Sequence, residues 1–222
     1  MGLQMGWYDE HILPHIINAA CSARPTQKQR QKIVPHAEGE ILEIGFGSGL
    51  NLPFYDADKV KKIWALEPSA GMRRKAQPLL ESSALEIELI DLPGEKIPLE
   101  TNSIDTVLVT YTLCTIPDAV TALEGMRRVL KPGGRLLFSE HGVAPDEKVA
   151  RWQDRLNPAW KKIAGGCNMN RDIPALIKSA GFNITSDERM YIPGVKVLSY
   201  SYWGVAEDTG KRDEDQLEPA VR

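Results

Sequence analysis

The chain has 222 residues, a formal net charge of −3, 42% apolar residues and 26% charged residues. That length suffices for one sizeable α/β domain, and the mildly acidic balance excludes a protein drawn by bulk charge to nucleic acid or an acidic membrane. Two basic clusters, Lys59-Lys61-Lys62 and Arg73-Arg74-Lys75, lack the interleaved aromatics of a base-stacking groove and read as solvated faces.

Cys21, Cys114 and Cys167 are odd in number, far apart and without a CxxC pair. Neither a disulfide framework nor a thiolate zinc site is expected, so no metal is expected, and a reducing compartment fits. The start "MGLQMGWYDEHILPH" lacks a secretory pattern, and no window approaches the roughly 18 apolar residues of a membrane-crossing helix. The expectation is a cytoplasmic protein with no transmembrane segment. One domain over 1–206 is expected, with a helical cap at 1–36, and the polar stretch 207–222 should fray.

In chain order, Ile12, Leu13, Ile16, Ile17 and Ala20 share one helical face in a predicted helix over 12–22, with Pro14 near its start. Strands are predicted at 41–44, 62–66, 85–90 and 103–113, the last β-branched enough to be buried on both faces. Ser69 should cap the helix that follows the second strand. Val120, Leu123, Met126 and Leu130 recur at helical spacing until "KPGG" (131–134), and "RLLFSEH" (135–141) is the fifth strand. A helix is expected around 173–180. Two last strands, near 183–192 and over 195–206, leave no room for a crossover helix and must pair antiparallel. Strands alternating with helices imply a mostly parallel sheet covered on both faces.

The stretch "ILEIGFGSGLN" (41–51) carries Gly45, Gly47 and Gly49 after a strand, with Glu43 just before them. A dinucleotide fingerprint needs a small residue at position 50, which is Leu50, so the nicotinamide reading is weakened. Glu43 would repel a pyrophosphate and attract an ammonium and a sulfonium. S-adenosylmethionine carries both charges and no phosphate. Glu67 ends the second strand, where a carboxylate commonly grips ribose hydroxyls.

"LEIGFGSG", the acid after strand two and "RRVLKPGGRLLFSEH" together resemble the class I S-adenosylmethionine-dependent methyltransferases, over roughly Glu38 to Ala206 in segment order. The resemblance implies a Rossmann-like, seven-stranded, mostly parallel sheet with an antiparallel last strand and helices on both faces. It implies that Glu43, Gly45, Gly47, Gly49 and Asn51 hold the methionine end of S-adenosyl-L-methionine. Glu67 would take the ribose, and Pro68 and Met72 would flank the adenine. The family's Asp-Ala-Glu-like segment corresponds to "PGEKIPL" (93–99), with Pro93 where the Asp would stand and Asp91 two residues early. Adenine contacts are therefore expected from the backbone of Gly94 and Glu95. Thr110 would approach the methionine backbone.

The acceptor would sit beyond strands four and five, near Tyr8 and His11, the "TLCTIP" loop (112–117) and a lid-like insertion over 141–172. "EH" at 140–141, "LNPAW" and "GGCNMNR" resemble the alkyl thiol methyltransferases of animals and their bacterial relatives. Tyr8, Trp152, Trp160, Cys167 and Asn168 are candidate acceptor contacts. His141 is the candidate base for an acceptor of high pKa, whereas a thiol needs only to become a thiolate beside the sulfonium. The expectation is methyl transfer to a small, largely apolar acceptor, a thiol first. The alternatives are quinone- or phospholipid-type C-, O- or N-methylation, a NAD-dependent oxidoreductase, or a catalytically silent binding module. A nucleic-acid substrate is not expected, since no Asn/Asp-Pro-Pro-aromatic tetrad is present.

Overall fold

The computed structural model describes residues 7–210. Seven strands form a single sheet: β1 (Gly39–Ile44), β2 (Val60–Leu66), β3 (Ile87–Ile90), β4 (Ile104–Thr110), β5 (Leu130–His141), β6 (Phe182–Tyr191) and β7 (Tyr200–Asp208). Their order is β3-β2-β1-β4-β5-β7-β6. The first five are parallel, and β7 runs antiparallel to both neighbours. This is the Rossmann-like sheet expected from the sequence.

The side-chain period of two divides the core. Leu42, Ile44, Val107, Val109, Leu136 and Phe138 face α5 (Ala119–Val129) and α7 (Ile173–Ser179), with Leu123, Met126 and Ile177 fully buried against them. Ile41, Ile63, Ala65, Leu108 and Leu137 face the opposite side, with Ile33 of α3 (Arg24–Ile33) and Ala76 of α4 (Ala70–Ser82). Ser69 caps α4 as expected, its side chain accepting from the Met72 N–H at 3.3 Å.

One sequence expectation holds in part and two need correction. The expected helix over 12–22 is present as α2 (Leu13–Cys21), preceded by the short α1 (Trp7–His11), but only part of its shared apolar face is covered: Leu13 is buried, while Ile16 is 52% exposed. Fifth-strand pairing starts before "KPGG": Ile104 pairs with Leu130 and Thr106 with Arg135, so the four residues loop out within β5 instead of separating helix from strand. The last strand begins later and ends later, because 196–198 form a 3-10 turn and Glu207 and Asp208 extend β7 into the expected tail. Residues 211–222 of that tail lie outside the described residues.

The insertion holds one long helix, α6 (Glu147–Ile163), anchored by Val149 and Gln153 one turn apart. Gln153 is completely buried and fully used. Its Oε1 accepts from the Ala144 N–H at 2.9 Å, and its Nε2 donates to the carbonyls of Gly142, Met169 and Val197 at 2.9–3.0 Å. One amide thus joins α6, the exit of β5, the loop after α6 and the turn before β7.

Candidate active site

Four strand ends meet at one edge of the sheet. β1 runs into the glycine turn, β2 into Glu67, β4 into Thr110, and β5 ends at His141. Gly45, Gly47 and Gly49 all adopt positive φ, at 72°, 62° and 79°. At Gly45 a Cβ would lie 2.2 Å from Thr112 Oγ1, so only glycine lets the turn reach the loop after β4. At Gly47 the nearest atom to such a Cβ is Met72 Cε, 3.3 Å away. Met72 therefore lies over the turn.

Glu67 is 7% exposed, and each carboxylate oxygen holds the cradle in shape. Oε2 accepts from the Gly47 N–H at 2.9 Å and Oε1 from the Ser69 N–H at 2.8 Å. Burial pushes its pKa up, opposed by those two N–H bonds. Each oxygen retains a lone pair for a diol hydroxyl. Asp91 is taken up elsewhere, pairing with Arg73 through both guanidinium ends at 2.5 and 2.7 Å. Arg73 also donates to the Glu67 carbonyl at 2.6 Å, clamping the ends of β2 and β3 together. The missing side-chain carboxylate at Pro93 therefore has no substitute in Asp91. Gly94 is buried, and Glu95 reaches toward the Asp118 N–H at 3.4 Å. Pro68 is exposed at the rim.

Glu43 is 1% exposed and is satisfied by Asn51 Nδ2 at 2.9 Å and the Tyr55 hydroxyl at 2.6 Å. Burial pushes its pKa up to about 7, opposed by those bonds and by Arg30. Asn51 Nδ2 also donates to Thr110 Oγ1 at 3.0 Å, while Asn51 Oδ1 is buried with no partner among the described residues. A buried acceptor without a donor costs on the order of 1–3 kcal/mol. The ammonium of S-adenosylmethionine is the kind of donor that would satisfy it. Two carboxylates, an unpartnered acceptor and a turn bare of Cβ atoms suit a cationic, phosphate-free adenosine ligand.

A pH prediction follows from Glu43. Its folded pKa lies above the unfolded value near 4.5, so the folded chain binds the extra proton between the two. Ligand-free stability should fall as pH rises from about 5 to 7.5, and a cationic ligand should bind more tightly across the same rise. Thermal shift with S-adenosylmethionine at pH 6 and 8 measures both, and Glu43→Gln should flatten both trends.

Beyond Thr110 the chain turns sharply at Tyr111, a non-glycine residue at φ 56°. Glu140, fully buried on β5, holds that turn through Oε1, which accepts from the Thr112 N–H at 2.7 Å and the Leu113 N–H at 3.0 Å. Burial raises Glu140 to about 6, against those bonds. The rings of Tyr111 and His141 stack at 6.4 Å, and the Arg30 guanidinium sits 5.1 Å from the Tyr111 ring centre. Arg30 is 4% exposed, and its Nε and Nη1 are buried without partners among the described residues. The Tyr111, Ser139 and Ser201 hydroxyls are buried close to one another. Burial pushes Tyr111 up to about 12, with Ser201 and Arg30 opposing.

The candidate acceptor contacts divide. Cys167 Sγ lies 3.2 Å from His141 Nε2 at the heart of this region. Tyr8 joins cap to lid, its hydroxyl donating to the Ile163 carbonyl at 3.0 Å. Asn168 is spent on bracing: its Nδ2 donates to the carbonyls of Cys114 and Gly166 at 2.9 and 3.0 Å. Arg171 does likewise, donating to the carbonyls of Leu113 and Ile116. Trp160 keeps its indole Nε1 buried and unpartnered among the described residues. Trp152 points outward, 52% exposed beneath the Arg155 guanidinium. Sequence reasoning missed Arg30, because "RPTQKQRQKI" reads as a solvated helix, and missed the bracing role of Glu140.

Residues 42–138 match the family described as the methyltransferase domain. The chain is 34% identical over 150 residues to the thiol S-methyltransferase TMT1B of Rattus norvegicus, covering 66% of this chain and 61% of that protein. It is 32% identical over 157 residues to the Homo sapiens TMT1B, covering 69% and 64%. The matches thus span less than two thirds of those relatives. Among solved structures it is similar to a chain of the complex between the Haloferax volcanii Trm112 methyltransferase activator and a methyltransferase, with a TM-score of 0.68, 18% identity, and 93% of this chain and 99% of that one covered. No helix among the described residues is long and apolar enough to cross a membrane. With the sheet order, the glycine cradle and these matches in agreement, the chain belongs to the class I S-adenosylmethionine-dependent methyltransferases.

Proposed function

We propose that the protein transfers a methyl group to the sulfur of a small, largely apolar thiol. The observation that carries this reading is the buried Arg30 guanidinium, with two N–H groups unpartnered among the described residues, facing the end of β4 where an acceptor would sit. A fixed positive charge there favours an anionic nucleophile and disfavours an amine, which must arrive uncharged. It also lowers the pKa of an incoming thiol, and the thiolate is the reactive form. The similarity to thiol S-methyltransferases supports the same choice.

S-adenosyl-L-methionine, when bound, supplies a methyl group on a sulfonium sulfur. The residues present would hold it by Glu67 at the ribose, the backbone of Gly45–Gly49 and the Asn51–Glu43 pair at the amino acid end, with Met72 beside the adenine. Gly94 and Glu95 offer backbone groups on the adenine side. Thr110 fixes Asn51, and Tyr111 and Arg30 orient the acceptor sulfur. The gain would come from placement of the acceptor against the methyl group.

Labelled cofactor incubated with alkyl thiols, sulfide, quinols and phospholipid amines tests the reading. Transfer to thiols is the expected result, and transfer confined to amines or quinols would overturn it. Arg30→Gln should lower kcat/KM for thiols about 10- to 100-fold, the loss of a charged hydrogen bond. A loss confined to cofactor affinity would move Arg30 to the cofactor's carboxylate instead.

A further inference from the structure

The fold assembles a group that the sequence keeps apart. Cys114 comes from the loop after β4, His141 from the end of β5 and Cys167 from the loop after α6. One ligand atom from each, the two Sγ atoms and a ring nitrogen of His141, all lie within 4.8 Å of one another. Cys114 is buried, and His141 and Cys167 are half-buried. All three cysteines of the chain are free. We propose that Cys114, Cys167 and His141 form a binding site for one zinc ion.

Three arguments support it. Zinc–sulfur bonds of about 2.3 Å and zinc–nitrogen bonds of about 2.0 Å, set tetrahedrally, place ligand atoms roughly 3.5–3.8 Å apart. The observed cluster accommodates those separations, and its Sγ–Nε2 distance of 3.2 Å needs only a small side-chain adjustment. The ligand set is soft, two thiols and an imidazole, as suits zinc better than calcium or magnesium. The ligands are also held from outside. The Asn168 N–H and Nδ2 both bond the Cys114 carbonyl, at 2.8 and 2.9 Å. The Cys167 N–H bonds the Ala164 carbonyl at 3.1 Å, and the register of β5 on β7 pairs His141 with Ser201.

The step balances without an oxidant or reductant. Two S–H bonds break, two S–Zn bonds and one N–Zn bond form, and both protons pass to solvent. Two thiolates offset the charge of the ion. Three protein ligands leave a fourth position for water or an external ligand, the arrangement typical of reactive zinc sites. The site does not depend on the thiol reading, because it rests on protein ligands alone.

The test uses the full chain, reduced and metal-free, titrated with Co²⁺ as an optical substitute for zinc. The expected result is one equivalent of cobalt bound, with an intense thiolate-to-cobalt charge-transfer absorption that stoichiometric Zn²⁺ abolishes. Cys114→Ser and Cys167→Ser should each weaken binding at least about tenfold and diminish the absorption, and His141→Gln should shift the ligand-field bands. Cys21→Ser should leave the spectrum unchanged. Circular dichroism and stabilisation by S-adenosylmethionine show that each variant is folded. Folded wild-type protein with no charge-transfer absorption, or absorption undiminished in both cysteine variants, would overturn the site.

Discussion

Replacing Glu67 with alanine should weaken S-adenosylmethionine binding about 10- to 100-fold, measured by titration calorimetry. The carboxylate has two duties that no neighbour shares. It would offer acceptors to a diol, and it fixes the turn by taking the Gly47 and Ser69 N–H groups. Alanine removes the first duty and releases the second, so part of the loss should be an entropic cost of ordering the turn on binding. Glu67→Gln retains one carbonyl oxygen and should fall between the two. Wild-type affinity in the alanine variant would remove Glu67 from the ribose site.

Replacing Gln153 with leucine should destabilise the protein by about 3 kcal/mol, seen as a melting temperature lower by roughly 6–12 °C in a domain of this size. Leucine fills the space but strands the Ala144 N–H and the carbonyls of Gly142, Met169 and Val197. Stranded buried groups carry their full desolvation cost. The damage should also loosen the lid, so the acceptor KM should rise more than cofactor affinity falls. A melting temperature within 2 °C of wild type, by the same size scaling, would show that Gln153 is incidental.

The contrast between these two residues marks what the sequence makes legible. The place of Glu67 is readable from position: an acid at the end of the second strand, after a glycine turn whose backbone conformation only glycine adopts easily. The same local chemistry makes the strands and the Ser69 cap readable. Gln153 is not readable, because its four partners come from segments up to 44 residues away that only the folded chain brings together. Arg30 is hidden for a related reason. Its helix is basic throughout, and nothing local distinguishes the one cation turned inward over Tyr111. The Cys114–His141–Cys167 group draws on two loops and a strand end, so counting cysteine spacings could not find it. Ile16, 52% exposed, shows that an apolar stripe read from periodicity need not be a buried one.

The reversed direction of β7 has an effect on how this enzyme could be altered. Because His141 pairs with Ser201, the strand's first residues, and the segment 192–199 leading into it, arrive at the edge where chemistry would occur. The glycine turn and Glu67, by contrast, lie between residues 39 and 72. On the proposed reading, contacts to the acceptor and contacts to the donor would come from separate stretches of the chain. Exchanging the hairpin connection 192–199 for one of different length or polarity should retune which molecule is modified while leaving the donor's grip intact.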